Sequence, residues 1–278
     1  MRNVSSKDIT EEVKKLCIDA AYHLGEDVCD AIKGALETEK SPLGKDVLSQ
    51  IVENFEIADS EDVPMCQDTG LAVFFVEIGS EVALDGPVED AINEGVRQGY
   101  EEGYLRKSVC DPFSRKNTGD NTPAIIHTAI TAGDKIRVML AAKGGGSENM
   151  SGIAMLKPAQ GLPGVKEFVV RTIRESGGNP CPPIIVGVGI GGNFEKSAIM
   201  SKRSLFRKVG EPSPIELVAM LEKEILFEVN ALGVGPMGFG GTTTALAVHI
   251  DTAPCHIASF PVAVNVQCHA DRHKEIVI

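Results

Sequence analysis

The spacing of apolar residues changes along this chain, and that change constrains the fold most. Over residues 6–58 they recur three or four positions apart, as at Ile9, Val13 and Leu16, which is the period of a helix buried on one face. From residue 71 onward, short runs such as LAVFFVEIG (71–79) are continuously apolar and end at glycine, as buried strands do. The sequence therefore predicts an α+β fold, in which a helical N-terminal part, about residues 6–58, precedes a mixed sheet with packing helices.

No internal repeat or low-complexity linker divides the chain, so we expect a single domain over residues 1–278. The same periodicity places the other elements along it. Helices are predicted at 87–105, 165–176 and 216–232, and strands at 124–130, 135–142, 184–192, 245–254 and 261–267.

The chain has a formal net charge of −12 in 278 residues. An acidic surface repels phosphate backbones, so nucleic acid is not expected as a partner, although a local arginine cluster could still bind an anionic substrate. No apolar stretch approaches the length of a membrane-spanning helix, and the opening MRNVSSKDITEEVKKL lacks the apolar core of a signal peptide. We therefore expect no membrane partner and a cytoplasmic location.

An odd number of cysteines cannot pair completely, and a reducing compartment keeps thiols free, so structural disulfides are not expected. Some thiols are then available to hold metal. Three cysteines in helices or at their ends are interpreted as small hydrophobic residues used in packing, namely Cys17, Cys29 and Cys110. The other four cysteines are Cys66, Cys181, Cys255 and Cys268.

Two segments bounded by proline or glycine place a cysteine where a turn enters an apolar strand. PMCQDTG (64–70) sets Cys66, Gln67 and Asp68 side by side, so a thiolate, an amide and a carboxylate could serve a metal and a polar substrate together. In NPCPPIIVGVGIGG (179–192), the flanking prolines fix the backbone around Cys181, which suits a metal ligand. Judged separately, a surface turn with a half-buried cysteine and a free thiol in a tight loop explain these segments as well.

The segment KGGGSENMSG (143–152) contains three successive glycines, which let backbone N–H groups approach an anion. It has neither the Gly-Lys-Ser/Thr ending of a phosphate-binding P-loop nor the spacing of a dinucleotide fingerprint. By itself, a flexible hairpin turn is at least as good an interpretation as a cradle for a carboxylate.

The segment PCHIASFPVAVNVQCHADRH (254–273) is rich in residues that could bind zinc. However, none of the usual paired spacings of zinc ligands recurs along the chain, and the two histidines four apart lack the H-E-x-x-H pattern. Zinc remains an alternative that the spacing does not favour. The candidate ligands are Cys255, His256, Cys268, His269 and His273.

Taken together and in this order, the motifs CQDTG, GGGS, CPP before a glycine-rich strand, and Cys-x-A-D-R resemble the N-terminal domain of class I fumarases. They also resemble the related L(+)-tartrate dehydratase alpha subunits, and the resemblance runs from about residue 40 to the end. It implies a [4Fe–4S] cluster held by three thiolates, those of Cys66, Cys181 and Cys268. Three ligands for four irons leave one iron without a protein ligand, which makes the cluster a Lewis acid.

The resemblance also implies which residues meet the substrate. Asp68 would move a proton on the hydroxyl side, and His256 would bind a carboxylate or assist proton transfer. Without the resemblance, Asp68 fits a turn cap, His256 a core histidine and Arg106 a solvated charge at a helix end. The implied substrate-binding residues are Gln67, Asp68, Arg106, Gly146, Ser147, Asn149 and His256.

The chain ends where the second domain of a single-chain class I fumarase would begin. The resemblance therefore implies a beta subunit that carries the other half of the active site, an assembly of two alpha and two beta subunits, and no activity for this chain alone. The last motif favours hydration of fumarate to L-malate, with tartrate or another hydroxy-diacid as the alternative substrate. Two further alternatives are a non-catalytic zinc-binding domain and an electron-transfer protein whose cluster would use Cys255 as a fourth ligand.

Overall fold

The computed structural model describes residues 1–278 and contains both helices and strands in mixed order, which confirms the predicted α+β class. Single-turn 3₁₀ helices lie at Pro158–Gln160, Ser204–Phe206 and Pro236–Gly238. The other elements are β1 (Arg2–Val4), α1 (Ser6–Tyr22), α2 (Glu26–Thr38), α3 (Pro42–Glu61), β2 (Leu71–Gly79), β3 (Val82–Leu84), α4 (Val88–Glu102), β4 (Ile125–Thr131), β5 (Ile136–Lys143), α5 (Gly145–Glu148), β6 (Gly152–Leu156), α6 (Gly161–Ser176), β7 (Ile184–Gly191), α7 (Phe194–Arg203), α8 (Glu216–Asn230), β8 (Ala245–Ala253), β9 (Phe260–Gln267) and β10 (His273–Val277).

The predicted helical N-terminal part is confirmed as three helices, α1 to α3. Ser5 begins α1, because its side-chain oxygen accepts a hydrogen bond from the backbone N–H of Lys7. Pro42 opens α3, where the missing N–H of proline costs no helical hydrogen bond. The predicted elements α4, α6 and α8 are confirmed within a few residues. The elements β1, β3, β6, α7 and β10 were not predicted, because pieces so short or so polar carry little periodic signal.

Contacts divide the chain into two compact units, each discontinuous in sequence. Unit 1 comprises residues 1–25, 54–145 and 270–278, and unit 2 comprises residues 26–53 and 146–269. The expectation that residues 1–278 act as a single domain stays a prediction.

Unit 1 is built on a four-stranded sheet in the order β10-β5-β2-β4, with β1 and β3 forming a separate parallel pair. The central strand β2 runs parallel to β4 and antiparallel to β5. Helices α1 and α4 share a core with one face of β2, where Phe74 and Val76 are buried. The two helices lie close together because Gly95 has no side chain; a Cβ there would lie 2.7 Å from the carbonyl oxygen of Thr10.

Unit 2 is built on a four-stranded sheet in the order β6-β9-β7-β8. The even-numbered residues of β7, such as Val186 and Val188, pack in one core with helices α6 and α8. The odd-numbered positions Gly187 and Gly189 lie against α7, and a Cβ on either would lie 2.0 Å from a carbonyl oxygen of that helix. The alternation in IIVGVGIGG therefore encodes a strand that is apolar on one face and open to a helix backbone on the other.

None of the helices has the combination of length and apolar character that crossing a membrane requires.

Candidate functional site

In unit 1, the segment PMCQDTG forms the turn between α3 and β2, and several hydrogen bonds hold its backbone. The hydroxyl of the buried Tyr100 donates to the carbonyl oxygens of Thr69 and Gly70, at 3.0 and 3.2 Å. Burial raises the pKa of Tyr100, so the phenol keeps the proton that it donates. Gly70 has φ +79°, and a Cβ there would lie 2.8 Å from the backbone of Lys143. The turn is thus tied tightly to the end of β5.

Asp68 lies on this turn with its carboxylate held by backbone donors. Its Oδ1 accepts from the N–H of Gly70 at 3.1 Å, and its Oδ2 accepts from the N–H of Gly145 at 2.8 Å. A carboxylate has about four lone-pair sites, so this one keeps acceptor capacity for another donor. The bond to the N–H of Gly70 is the turn cap predicted from the sequence. The bond to the N–H of Gly145 joins the segment KGGGSENMSG to the same carboxylate.

The buried side chain of Arg272 bonds the backbone of Asp68, a contact that the sequence does not predict. Its side chain is 1% exposed, its Nη1 donates to the carbonyl oxygen of Asp68 at 2.6 Å, and its buried Nε has no hydrogen-bond partner. A single arginine in a polar segment predicts a solvated side chain, so only the tertiary structure identifies this buried guanidinium. Because an ideal Cβ at Gly144 would lie 3.1 Å from Asp68 Oδ2, that position must also stay small.

The remaining predicted residues of unit 1 lie beside Asp68. Cys66 is half-buried, and its Sγ lies 3.6 Å from Oε1 of the exposed Gln67. Arg106 is exposed, and its Nη1 is 3.5 Å from the carbonyl oxygen of Gln67. Unit 1 therefore brings together Cys66, Gln67, Asp68 and Arg106, which places a thiol, an amide, a carboxylate and a guanidinium at one turn.

In unit 2, the register of β7 with β9 brings Cys181 and Cys268 to the same edge of the sheet. The two strands are antiparallel with Ile185 opposite Gln267, so the start of β7 lies beside the end of β9. The carbonyl oxygen of Cys181 lies 2.9 Å from Nδ1 of His269 and 3.4 Å from its backbone nitrogen. A carbonyl only accepts hydrogen bonds, so Nδ1 of His269 carries a proton here. Both thiols are half-buried and free of disulfides.

Cys255 and His256 lie at the opposite edge of the same sheet. They follow β8, whose last residues pair in parallel with the end of β7 rather than with its start. An eight-residue strand spans roughly 26 Å at about 3.3 Å per residue, and this length separates them from the edge with Cys181. His256 is exposed, and its Nδ1 accepts from the N–H of Ala258 at 3.1 Å. The structure therefore places His256 outside the core and does not bring it beside Cys181 and Cys268.

The glycine-rich segment forms the single helical turn α5 rather than a hairpin turn. In unit 2, Ser147 of this turn is buried, whereas Gly146 and Asn149 are exposed. The carbonyl oxygen of Ser147 accepts from the N–H of Met150 at 3.2 Å, which closes the turn before β6 begins. The role of these residues as an anion cradle stays a prediction.

Neither unit by itself gathers three His, Cys, Asp or Glu side chains in a form that could hold a metal ion. The geometry of unit 2 places Cys255 and His256 across the sheet from Cys268 and His269, so these four candidate zinc ligands do not gather at one point. It also places Cys255 away from Cys181, so it is not positioned as a fourth ligand beside that thiol. Cys181 and Cys268 share one edge in unit 2, Cys66 lies in unit 1, and all three thiols are half-buried. The implied cluster ligands stay a prediction.

The three cysteines interpreted as packing residues differ in their surroundings. Cys17 is buried in α1, and burial raises the pKa of its thiol, which keeps it protonated and unreactive. Cys29 in α2 is only partly buried, and so is Cys110, which forms an isolated antiparallel bridge with Asn117.

The sequence of this chain matches the family model described as fumarate hydratase (Fumerase) over residues 10–277. The chain belongs to the fumarate hydratase family. The resemblance identified from the four motifs is thereby confirmed. The chain is also similar to a Methanocaldococcus jannaschii protein, provisionally named L(+)-tartrate dehydratase subunit alpha, which is 43% identical over 271 residues. That alignment covers 95% of each chain.

Two bacterial proteins named L(+)-tartrate dehydratase subunit alpha extend the comparison. One from Escherichia coli is 32% identical over 268 residues, covering 95% of this chain and 88% of its own. One from Shigella sonnei is 31% identical over 274 residues, covering 97% and 90%. This member of the fumarate hydratase family is thus similar to alpha subunits over nearly their whole length.

Proposed function

We propose that this chain is the alpha subunit of a hydro-lyase that adds water to, or removes it from, a small dicarboxylic acid. The family match over residues 10–277 carries this proposal, and the names of its full-length relatives support it. Those relatives are named as alpha subunits, so we propose that a companion beta subunit completes the active site, in an assembly with two copies of each chain. A cytoplasmic location belongs to the same proposal.

Two substrates are proposed, each favoured by a different observation. The family description and the last cysteine motif favour the hydration of fumarate to L-malate. The names of the relatives favour L(+)-tartrate instead. The two hydroxy-acids differ by one hydroxyl group, and a pocket that hydrogen-bonds that group would discriminate strongly between them.

We further propose that Cys66, Cys181 and Cys268 hold a [4Fe–4S] cluster. The chemistry of the donors supports this, because thiolates are the preferred ligands of cluster irons and all three thiols are partly accessible. When bound, such a cluster supplies a Lewis acid at the iron that no cysteine holds, which weakens the bond to a leaving hydroxide.

The residues of this chain would then bind and orient the acid. Asp68, held by two backbone N–H groups, is proposed to accept or return a proton, because its carboxylate retains free lone pairs. Arg106 would pair with a substrate carboxylate through the donors of its fork that do not face Gln67. The amide of Gln67 would bond the same substrate. The other proposed contacts are Gly146, Ser147, Asn149 and His256.

The test is an anaerobic preparation of this chain with the beta subunit encoded in the same genome, assayed with L-malate and with L(+)-tartrate. We expect turnover of at least one acid by the pair and none by the lone chain. Asp68→Asn should lower kcat by at least about 100-fold, as expected for loss of a general acid–base group, while circular dichroism stays unchanged. A pair that dehydrates neither acid, or a fully active lone chain, would contradict the proposal.

Iron content tests the cluster separately from activity. After anaerobic reconstitution, Cys181→Ser should lose most of the iron and the broad absorbance near 400 nm, whereas Cys255→Ser should keep both. Cys255 is the matched control, since its Sγ bonds the carbonyl oxygen of Ser259 at 3.2 Å at the far edge of the sheet. Equal iron content in Cys181→Ser and the unmodified chain would rule out this ligand set.

A further inference from the structure

Residues 106–119 of unit 1, here termed the Phe113 loop, present an aromatic ring to solvent. Phe113 lies near the tip and is 94% exposed, and Tyr104 just before the loop is 88% exposed. A phenyl ring in water forgoes the hydrophobic stabilisation that burial would give it. Phe113 makes no contribution to the core of unit 1, so its ring is free to contact another chain.

The Phe113 loop is held in one shape by its own hydrogen bonds. Oδ1 of Asp111 accepts from the backbone N–H of Phe113 at 3.0 Å and from the hydroxyl of Ser114 at 2.8 Å. The backbone of Asp111 also bonds that of Lys116 at 2.9 Å, and the side chain of Asn117 donates to the carbonyl oxygen of Lys107 at 2.8 Å. An ordered loop loses little conformational entropy on binding, so this one is pre-organised to present the ring.

The tip of the Phe113 loop is basic, although the whole chain has a net charge of −12. Arg115 and Lys116 are exposed and form no ion pair within 4.0 Å, although hydrogen bonds within the loop and, after them, the charge of Arg115 lower the pKa of Asp111. By contrast, Lys107 at the start of the loop pairs with Glu101 at 3.0 Å. The two exposed cations beside an exposed phenyl ring match a partner surface with an apolar pocket and an acidic rim.

The base of the loop is fastened to the turn that carries the candidate site. The hydroxyl of Thr69 donates to the carbonyl oxygen of Arg106 at 2.7 Å. The fully buried Asn121 bonds the N–H of Ser108 at 2.6 Å and the carbonyl oxygen of Gly70 at 3.2 Å. A subunit that completes a site at Gln67 and Asp68 would therefore meet a loop fixed to the same turn.

We infer that the Phe113 loop is a docking element for the companion beta subunit, with Phe113 inserted in an apolar pocket and Arg115 and Lys116 facing acidic residues. The inference rests on the proposed function for the identity of the partner. It follows from the exposed ring, the fixed loop, the exposed cations and the attachment to the turn with Asp68. Aromatic side chains at such positions typically dominate the binding energy of an interface.

The test measures the dissociation constant between the full chain and the beta subunit encoded in the same genome, by biolayer interferometry. Phe113→Ala should weaken binding by at least about 30-fold, as for a central anchor residue. The control Phe227→Ala removes an aromatic ring that is 76% exposed in unit 2 and should stay within about twofold. The paired change Arg115→Glu and Lys116→Glu should slow association at low salt by about tenfold or more.

Binding within twofold for Phe113→Ala, or an equal loss in Phe113→Ala and Phe227→Ala, would overturn the inference. So would a wild-type chain that uses Phe113 to bind phosphatidylserine vesicles while Phe113→Ala binds the beta subunit normally. The readout requires neither cluster nor substrate, so it separates the two claims. A complex that depends on Phe113 but dehydrates no acid refutes only the proposed function, whereas an active pair indifferent to Phe113 refutes only the docking element.

Discussion

Replacing Glu39 with glutamine tests how one buried carboxylate stabilises unit 2. Glu39 directly follows α2 and is 2% exposed. Its oxygens accept hydrogen bonds from the backbone N–H groups of Lys40, Ser41, Thr242 and Thr243 and from the hydroxyl of Thr242, all between 2.8 and 3.0 Å. The side chain thus joins the connection between α2 and α3 to the segment before β8, far away in sequence.

The expected magnitude follows from the pKa of this carboxyl group. Burial by itself raises the pKa of Glu39, but the N–H groups of Ser41 and Thr242 and the contacts with Thr243 outweigh burial and lower the pKa from 4.5 to about 2. A fall of that size corresponds to about 3 kcal/mol of unfolding free energy at neutral pH. Because glutamine has no charge and its NH₂ group cannot accept these donors, Glu39→Gln should lose a similar amount.

The pH dependence has a definite sign. The folded state keeps Glu39 ionised to lower pH than the unfolded state, so the stabilisation is complete above the ordinary pKa of 4.5. It is lost as pH falls from there through about 2. The difference in unfolding free energy between wild type and Glu39→Gln should therefore shrink over that window.

Urea unfolding followed by circular dichroism measures this difference at pH 7 and at steps down to pH 3. The matched control is Glu37→Gln, an exposed position in the last turn of α2 two residues before Glu39, which should change stability by less than about 0.5 kcal/mol. The reasoning is refuted if Glu39→Gln is as stable as wild type at pH 7, or if its deficit is the same at every pH.

Two further predictions concern packing and hydrogen bonds. Gly189→Ala should destabilise the protein by about 3 kcal/mol in urea unfolding, because its Cβ would lie 2.0 Å from the carbonyl oxygen of Ser197. Gly34→Ala changes a helical position with open space around its Cβ, so it should instead stabilise the protein by up to about 1 kcal/mol. If Gly189→Ala and Gly34→Ala change the free energy of unfolding equally, the close approach of α7 to β7 is wrong. Tyr100→Phe should lower the free energy of unfolding in urea by about 1–2 kcal/mol, because the carbonyl oxygens of Thr69 and Gly70 lose their donor. Tyr104→Phe, at an 88% exposed side chain, should have no measurable effect, and similar losses in both would contradict this account of the turn.

Much of the fold could be predicted because most long elements have a local cause. The strand LAVFFVEIG is confirmed at Leu71–Gly79, and the helix predicted from residue 216 is confirmed at Glu216–Asn230. Helix α7 could not be predicted, since its sequence FEKSAIMSKR is mostly polar and its place is set by the glycine face of β7. The support of Asp68 by Arg272 also escaped prediction, because these residues are remote in sequence and meet only in the folded unit.

The sequence by itself determined the class of the fold, the helices and strands with clear periodicity, and the motifs that identify the family. Those features depend on side-chain type and on spacing within a few residues, which the chain carries before it folds. Only the tertiary structure decided which of the chemical groups become neighbours. Cys255 and Cys268 are close in sequence but lie at opposite ends of β9, because an extended strand separates its ends by its full length. Cys181 and Cys268 are distant in sequence yet lie at one edge of the sheet, because antiparallel pairing places the start of one strand beside the end of the other.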